Sequence, residues 1–209
     1  MKVAAIIPTR GDRSQLLNKA LAQMASQIVK PHKILVMDYE PKSSDYDITE
    51  RVRKGYEMCK GYDWVFIIED DDYYPPTYIH DMLRGAEIVE PDILGISRTI
   101  YYNIFENTYQ DMHHPGRSSL FCTALKGGMN IKWPPDNYKF LDIYLFKTIN
   151  DKYLITEIDP IPVGIKHGIG KTGGNGHKKG VLKRKDPKKK FLRSKVDSET
   201  IKFYENLCV

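Results

Sequence analysis

Apolar residues along the first 95 positions fall into two patterns that take turns. Val3 to Pro8 is a nearly continuous apolar run stopped by Pro8-Thr9-Arg10-Gly11, the mark of a buried strand entering a loop. From Ser14 the period becomes 3.6, with Leu17, Ala20, Leu21, Met24 and Ile28 on one face. A helix is expected there, with Ser14 as its N-cap. Lys33 to Tyr39 predicts a second buried strand, and Glu40 to Asp47 a polar loop. Ile48, Val52, Tyr56 and Cys59 then mark a second helix. Trp64 to Ile68 predicts a third strand, running straight into Glu69-Asp70-Asp71-Asp72. Pro75-Pro76 opens a third helix carrying Ile79, Met82, Leu83 and Ala86, and Asp92 to Ile96 predicts a fourth strand. This alternation predicts a parallel α/β sheet with right-handed crossovers.

The second half is less regular. Thr99 to Phe105 and Ser118 to Lys126 suggest strands, antiparallel to one another. Gly127-Gly128 and Trp133-Pro134-Pro135 read as loop, with Asp136 as an N-cap before a helix over Tyr138 to Ile149. Tyr153 to Ile158 and Ile161 to His167 predict two more strands. A Gly/Lys-rich stretch from Gly168 to Lys190 follows, then a short helix near Ser198 to Leu207. No internal repeat is visible. The expected organisation is a domain over 1–165, with halves 1–98 and 99–165, and a basic segment over 166–209 on or beside it.

Charge sharpens this picture. The net charge is +5, from 32 basic and 27 acidic residues, but residues 166–195 hold 12 Lys/Arg against one Asp. The rest of the chain therefore carries 20 basic and 26 acidic groups, a net of −6. An acidic body bears one basic segment. No apolar run reaches the ~18 to 20 residues of a membrane span. The opening Met1 to Pro8 is expected to be a strand rather than a signal peptide. Cys59, Cys122 and Cys208 are widely spaced without metal-site spacing, which suits reduced thiols in the cytoplasm.

In parallel α/β sheets ligands bind beyond the carboxyl ends of the strands. Here those ends carry Thr9-Arg10-Gly11-Asp12, Asp38 and Glu69 to Asp72. Four consecutive carboxylates repel one another, and burial worsens this, so a cation is expected among them. Hard divalent cations such as Mn²⁺ or Mg²⁺ take carboxylate, phosphate and water oxygens. The alternative is a solvated acidic turn with one Asp capping the next helix.

The run Phe66-Ile67-Ile68-Glu69-Asp70-Asp71-Asp72-Tyr73-Tyr74-Pro75-Pro76 resembles the DxD region of GT-A glycosyltransferases, especially the family 2-like enzymes. Ile6-Ile7-Pro8-Thr9-Arg10 is similar to their first strand, and Asp38 falls where they place an acid near the nucleobase. The likeness covers roughly residues 3–165, and the small size is similar to viral and phage members. It implies a GT-A, Rossmann-like fold: a mostly parallel central sheet flanked by helices, with a small antiparallel element in the second half. It implies a hexosyl- or deoxyhexosyltransferase using a nucleotide-diphosphate sugar, a UDP sugar above others, with Mn²⁺ or Mg²⁺. The first half, 1–98, would bind the donor and 99–165 a glycan or glycoprotein acceptor. Asp71 is then the principal metal ligand, with Glu69 and Asp72 beside it, although Glu69 stands where the family has its first Asp. Pro8, Thr9, Arg10, Asp12, Asp38 and Asp70 would border the nucleotide.

Inverting family 2-like enzymes take a base from an acidic pair opening a later helix. Leu141-Asp142-Ile143-Tyr144-Leu145 resembles that element with Leu141 in place of the first acid, making Asp142 the candidate base. Many GT-A enzymes complete the metal site with a late histidine, for which His167 is the first choice and His177 the second. Either could equally be an ordinary loop histidine, and His113-His114 reads as a surface loop. The glycine-rich stretch lacks Walker A and Rossmann spacing, yet Lys171 within it could meet a diphosphate. The run 178–195 could be a solvated face, or could meet an anionic membrane surface, a nucleic acid or a diphosphate-bearing acceptor. Tyr101-Tyr102, Tyr109, Trp133 and Tyr138 suit sugar stacking or core packing alike. Two other functions compete: a nucleotidyltransferase with a carboxylate-bound metal, and a nucleic-acid-binding module led by the basic run. The first lacks its usual Gly-rich loop, and the second leaves the acidic strand ends unexplained.

Overall fold

A computed structural model of the chain describes residues 1–40, 46–169 and 177–207. Its centre is β1 (Val3–Pro8), whose six residues are all buried. Parallel to it on either side lie β2 (Lys33–Met37) and β3 (Trp64–Ile67). Beyond β3 the sheet continues through β7 (Thr123–Lys126), β4 (Ile93–Ile96) and β8 (Lys152–Ile155), giving the order β2-β1-β3-β7-β4-β8. Only β7 runs against the others, so the sheet is mostly parallel.

Period-two alternation divides the core. Val3, Ala5 and Ile7 of β1 face a cluster with Leu16, Ala20 and Met24 of α1 (Ser14–Ala25) and Ile79 and Met82 of α3 (Tyr78–Val89). Ala4 and Ile6 face Val52 and Tyr56 of α2 (Ile48–Glu57), with Leu141 and Leu145 of α4 (Leu141–Thr148) in the same cluster. Helices thus cover both faces, as a buried parallel sheet requires.

A second sheet has the order β10-β6-β5-β9. Its antiparallel pairs join β5 (Arg98–Asn103) to β6 (Thr108–His113), and β6 to β10 (Arg184–Lys185). On its other side β9 (Val163–Lys166) runs parallel to β5. The C-terminal part adds α5 (Lys190–Arg193) and α6 (Ser198–Leu207). Leu192, Val196, Ile201 and Tyr204 from this part are buried in the first core cluster.

Several local expectations change. Ser14 is the first residue of α1 rather than its cap; Arg13 precedes the helix without a capping bond, because a guanidinium has no acceptor to offer the first N–H groups. Ile28 lies beyond α1 and is exposed. β2 is a half-buried edge strand, since nothing among the described residues pairs on its far side. Asp136 does not cap α4, which starts five residues later; Arg53 holds its carboxylate at 2.9 and 3.0 Å. His113 ends a strand instead of lying in a loop, because the polar run β6 is stabilised by its neighbours β5 and β10. Among the described residues no helix is long and apolar enough to cross a membrane.

Candidate active site

The carboxyl ends of β1 and β3 adjoin, because these strands pair in parallel register. Ile68 continues that pairing, its N–H donating to the Ile6 carbonyl at 2.9 Å, so the four acids emerge beside Thr9. The Thr9 hydroxyl donates to Asp70 Oδ2 at 2.6 Å. Arg13 reaches in from the start of α1 and spans two acids, donating to Asp70 Oδ1 at 2.7 Å and Asp71 Oδ2 at 3.0 Å. From the end of β9, His167 Nε2 lies 3.1 Å from Asp71 Oδ2. Asp72 accepts the Ile165 N–H at 2.8 Å and has Lys166 Nζ 4.0 Å away. Lys166 in turn stands 4.8 Å from the Tyr101 ring centre.

These contacts set the protonation of the cluster. Burial, aided by the charge of Asp71, pushes Glu69 up to about 7 and Asp70 up to about 6, although Arg13 opposes the shift at Asp70. Glu69 keeps part of its surface open to the cavity while lying deep among charged neighbours. Burial also pushes Asp72 well up, against the pull of Lys166. At Asp71 burial is outweighed by the His167 hydrogen bond and the charges of Arg13 and Lys166, so it stays far below the usual carboxylate range. Lys166 is raised by Asp72 and Asp71 despite its own burial.

Protein cations therefore already sit in the acidic cluster. Four carboxylates face Arg13 and Lys166, which leaves about two negative charges when all four acids are ionised. One divalent cation would balance that. The donor set suits a hard ion: one oxygen each of Glu69, Asp71 and Asp72 lies within 4.8 Å of the others. Asp72 Oδ2 is buried without a hydrogen-bond partner among the described residues. A second grouping joins Asp71 with ring nitrogens of His167 and His177, again within 4.8 Å.

The cluster forms one side of a cavity of about 470 Å³. Pro8, Thr9 and Arg10 line it, and Arg10 is fixed there by Asp47 at 3.0 Å. Asp47 also accepts from Arg51 Nε at 3.0 Å. Across the cavity, Asp142 at the first turn of α4 binds Arg117 at 2.6 Å. Burial raises the Asp142 carboxyl and Arg117 works against this. The charge of Asp142 is felt at Glu69, so the two acids share one electrostatic environment. Asp12 is exposed, 3.9 Å from Arg13. Asp38 is exposed and lies outside the cavity lining, because β2 ends one residue earlier at the sheet edge. Lys171 lies outside the described residues.

Thr9, Asp70, Asp71, Asp72 and His167 are thus in contact or within one shell, with Glu69 and Asp142 facing the same cavity. Sequence reasoning missed Arg13, Lys166, Asp47 and Arg117. Arg13 and Lys166 directly flank motifs already marked, at the start of the first helix and before His167, and that adjacency was the available signal.

A mostly parallel six-stranded sheet flanked by helices is the fold of GT-A-type glycosyltransferases. Solved structures with this fold include S. aureus TarS 1-349 in complex with UDP, 14% identical with a TM-score of 0.53 over 79% of this chain and 60% of that one. TarS 1-349 in complex with UDP-GlcNAc is 15% identical, with a TM-score of 0.53 over 79% and 59%. A longer TarS structure gives 11% and 0.54, over 80% of this chain and 37% of that one. The chain spans about three fifths of the length of TarS 1-349, and the likeness at these identities is one of fold. No protein-family model and no curated protein matches the chain.

Proposed function

We propose that the protein is a metal-dependent glycosyltransferase that moves a hexosyl or deoxyhexosyl group from a nucleotide-diphosphate sugar to a glycan or glycoprotein acceptor, with inversion. The observation that carries this reading is the acidic end of β3, half neutralised by Arg13 and Lys166 and open to a cavity large enough for a ligand of that class. The GT-A fold supports it, and the neighbours solved with UDP and UDP-GlcNAc favour a UDP sugar.

In this reading Glu69, Asp71 and Asp72 hold Mn²⁺ or Mg²⁺, which when bound neutralises the departing diphosphate. Pro8, Thr9, Arg10, Asp12 and Asp70 border the nucleotide, and Arg13 and Lys166 add positive charge where the leaving group gathers negative charge. Asp38 and Lys171 are kept as proposed outer contacts to the nucleobase and the diphosphate. Asp142 takes the proton from the acceptor hydroxyl, and Arg117 fixes the direction of its carboxylate. Desolvation raises its basicity toward the working range, as a base requires. The basic residues of 178–195 flank His177, Val181 and Leu182 at the cavity wall, where an acceptor carrying phosphate would meet them. The described cysteines, Cys59 and Cys122, are buried free thiols, which suits the proposed cytoplasmic setting.

Incubation of the full chain with UDP, GDP and CDP sugars and Mn²⁺ should release nucleoside diphosphate by slow transfer to water, fastest from a UDP sugar. Release from none of them would count against a transferase. Asp142→Asn should bind UDP within about threefold of wild type yet turn over roughly 10²- to 10⁴-fold more slowly, the usual worth of a general base. Full turnover in that variant would remove Asp142 from the role.

A further inference from the structure

The two histidines at the acidic cluster are held in a particular tautomer. His177 Nδ1 accepts two backbone N–H groups, from Gly168 at 3.0 Å and from His167 at 3.2 Å. His167 Nδ1 accepts the Ile169 N–H at 3.0 Å. A ring nitrogen that accepts carries no proton, so in both rings the proton is on Nε2. In His167 that Nε2–H points at Asp71 Oδ2, 3.1 Å away. In His177 Nε2 has no hydrogen-bond partner among the described residues, and the ring forms part of the cavity wall. The rings lie edge to face, 4.9 Å between centres and 84° between planes, so each limits the rotation of the other.

A histidine ligates a metal through an unprotonated nitrogen. Here the unprotonated nitrogens are committed to the backbone, and flipping either ring would abandon those bonds. His177 would lose two at once. An Nε2–H donor on the wall of a cavity that Lys166 and Arg13 also line offers a partner to an anion, with the Asp71 carboxylate within 4.8 Å of a ring nitrogen on the other side. Donor-rich surroundings of this kind suit phosphate oxygens.

We propose that His177 donates its Nε2–H to a phosphate oxygen of the bound nucleoside diphosphate and is not a metal ligand, while His167 positions Asp71 through the same kind of bond. This rests on the glycosyltransferase reading above. The oxygens of Glu69, Asp71 and Asp72 then form the protein part of the metal site without nitrogen. His177 joins a donor wall with Arg13 and Lys166 on the diphosphate side. The segment that carries His177 is thereby tied to the donor substrate.

The test uses the full chain, labelled with ¹⁵N-histidine, with Mg²⁺ or Mn²⁺ and with UDP as the probe. Long-range ¹H–¹⁵N spectra in Mg²⁺ should show Nε2 protonated and Nδ1 bare in both rings, and UDP should move the His177 Nε2–H signal. Pulsed EPR of separate, unlabelled Mn²⁺-loaded protein should show no directly bound ¹⁴N. His177→Ala should weaken UDP roughly tenfold or more, the worth of a hydrogen bond to a charged group, with Mn²⁺ affinity unchanged. His177→Gln, which keeps an N–H donor, should recover most of the loss. A ¹⁴N coupling to Mn²⁺ that disappears in His177→Ala would overturn the proposal, as would unchanged UDP affinity in that variant. Should wild type bind no UDP with either metal, the phosphate role falls together with the glycosyltransferase reading. The tautomer spectra distinguish that failure from a wrong ring assignment.

Discussion

Glu69, Asp70, Asp71 and Asp72 are neighbours in sequence with four different electrostatic roles. Asp70 is held by Thr9 and Arg13, Asp71 by Arg13 and His167, and Asp72 by the Ile165 amide near Lys166. Glu69 faces the cavity. Repulsion within such a run led to an expected cation from sequence alone, and two of the cations prove to be Arg13 and Lys166. Charge repulsion shows that compensation is needed, but not whether a side chain or an ion supplies it. Asp47 offers a separate residue-scale check. Burial tends to raise its pKa, but hydrogen bonds and charges from Arg10 and Arg51 outweigh this and hold it below the usual value. A depressed acid stabilises the fold above its unfolded pKa and loses that contribution as pH falls through the folded value. Asp47→Asn should therefore cost about 3 kcal/mol near pH 7, the scale for breaking a buried pair. The deficit relative to wild type should shrink below pH 4. Urea titrations at pH 7 and pH 3 measure both; equal deficits would disprove the linkage.

Element by element, the first four strands and three helices were readable because each buried strand forms an unbroken apolar run and each helix shows a 3.6 period. The strand ends followed from them, and so did the place of the acidic cluster. β6 and β10 were not readable, because TYQDMH and RK hold no apolar pattern and depend on the partners beside them. The insertion of β7 between β3 and β4 was equally hidden, since strand order depends on long-range pairing. Asp38 lies outside the cavity lining because its strand is at the sheet edge, a position that also depends on strand order. At the end of β7, Gly127 donates its N–H to the Asp63 carbonyl at 2.8 Å, and a Cβ there would overlap the Tyr62 carbonyl oxygen. Backbone cannot yield as a flexible side chain does. Gly127→Ala should lower stability by about 2 to 3 kcal/mol, at the upper part of the overpacking range, as read by urea unfolding. A change below 0.5 kcal/mol, the scale of an inconsequential surface substitution (~0.5), would mean that the β3–β7 junction adjusts freely.

Across the whole molecule, the basic segment is more than a charged appendage. Asp186 is buried within it and accepts the Leu192 N–H at 3.0 Å and the Tyr102 hydroxyl at 3.4 Å. Leu192, Val196, Ile201 and Tyr204 belong to the same core cluster as the buried residues of α1 and α3. Burying four such side chains contributes about 6 to 12 kcal/mol, comparable with the entire stability of a domain, roughly 5 to 15 kcal/mol. A chain ending at residue 177 should therefore lose cooperative thermal unfolding, followed by circular dichroism. A truncated form with a sharp wild-type transition would show that the last part adds nothing to the core. Charge separation along the chain is real, but the apolar residues between the lysines bind the basic segment to the acidic body. That brings His177 and the basic flank to the same cavity as the β3 acids. Nucleoside diphosphate binding through a carboxylate-held divalent cation is the role proposed for this cavity. Isothermal titration of UDP into wild type and Asp71→Ala, with and without Mn²⁺, addresses it most directly. Wild type should bind UDP at least about tenfold more tightly with Mn²⁺, as expected when metal and phosphate share one site, and Asp71→Ala should lose that difference. Equal UDP affinity of the wild type with and without Mn²⁺ would contradict it.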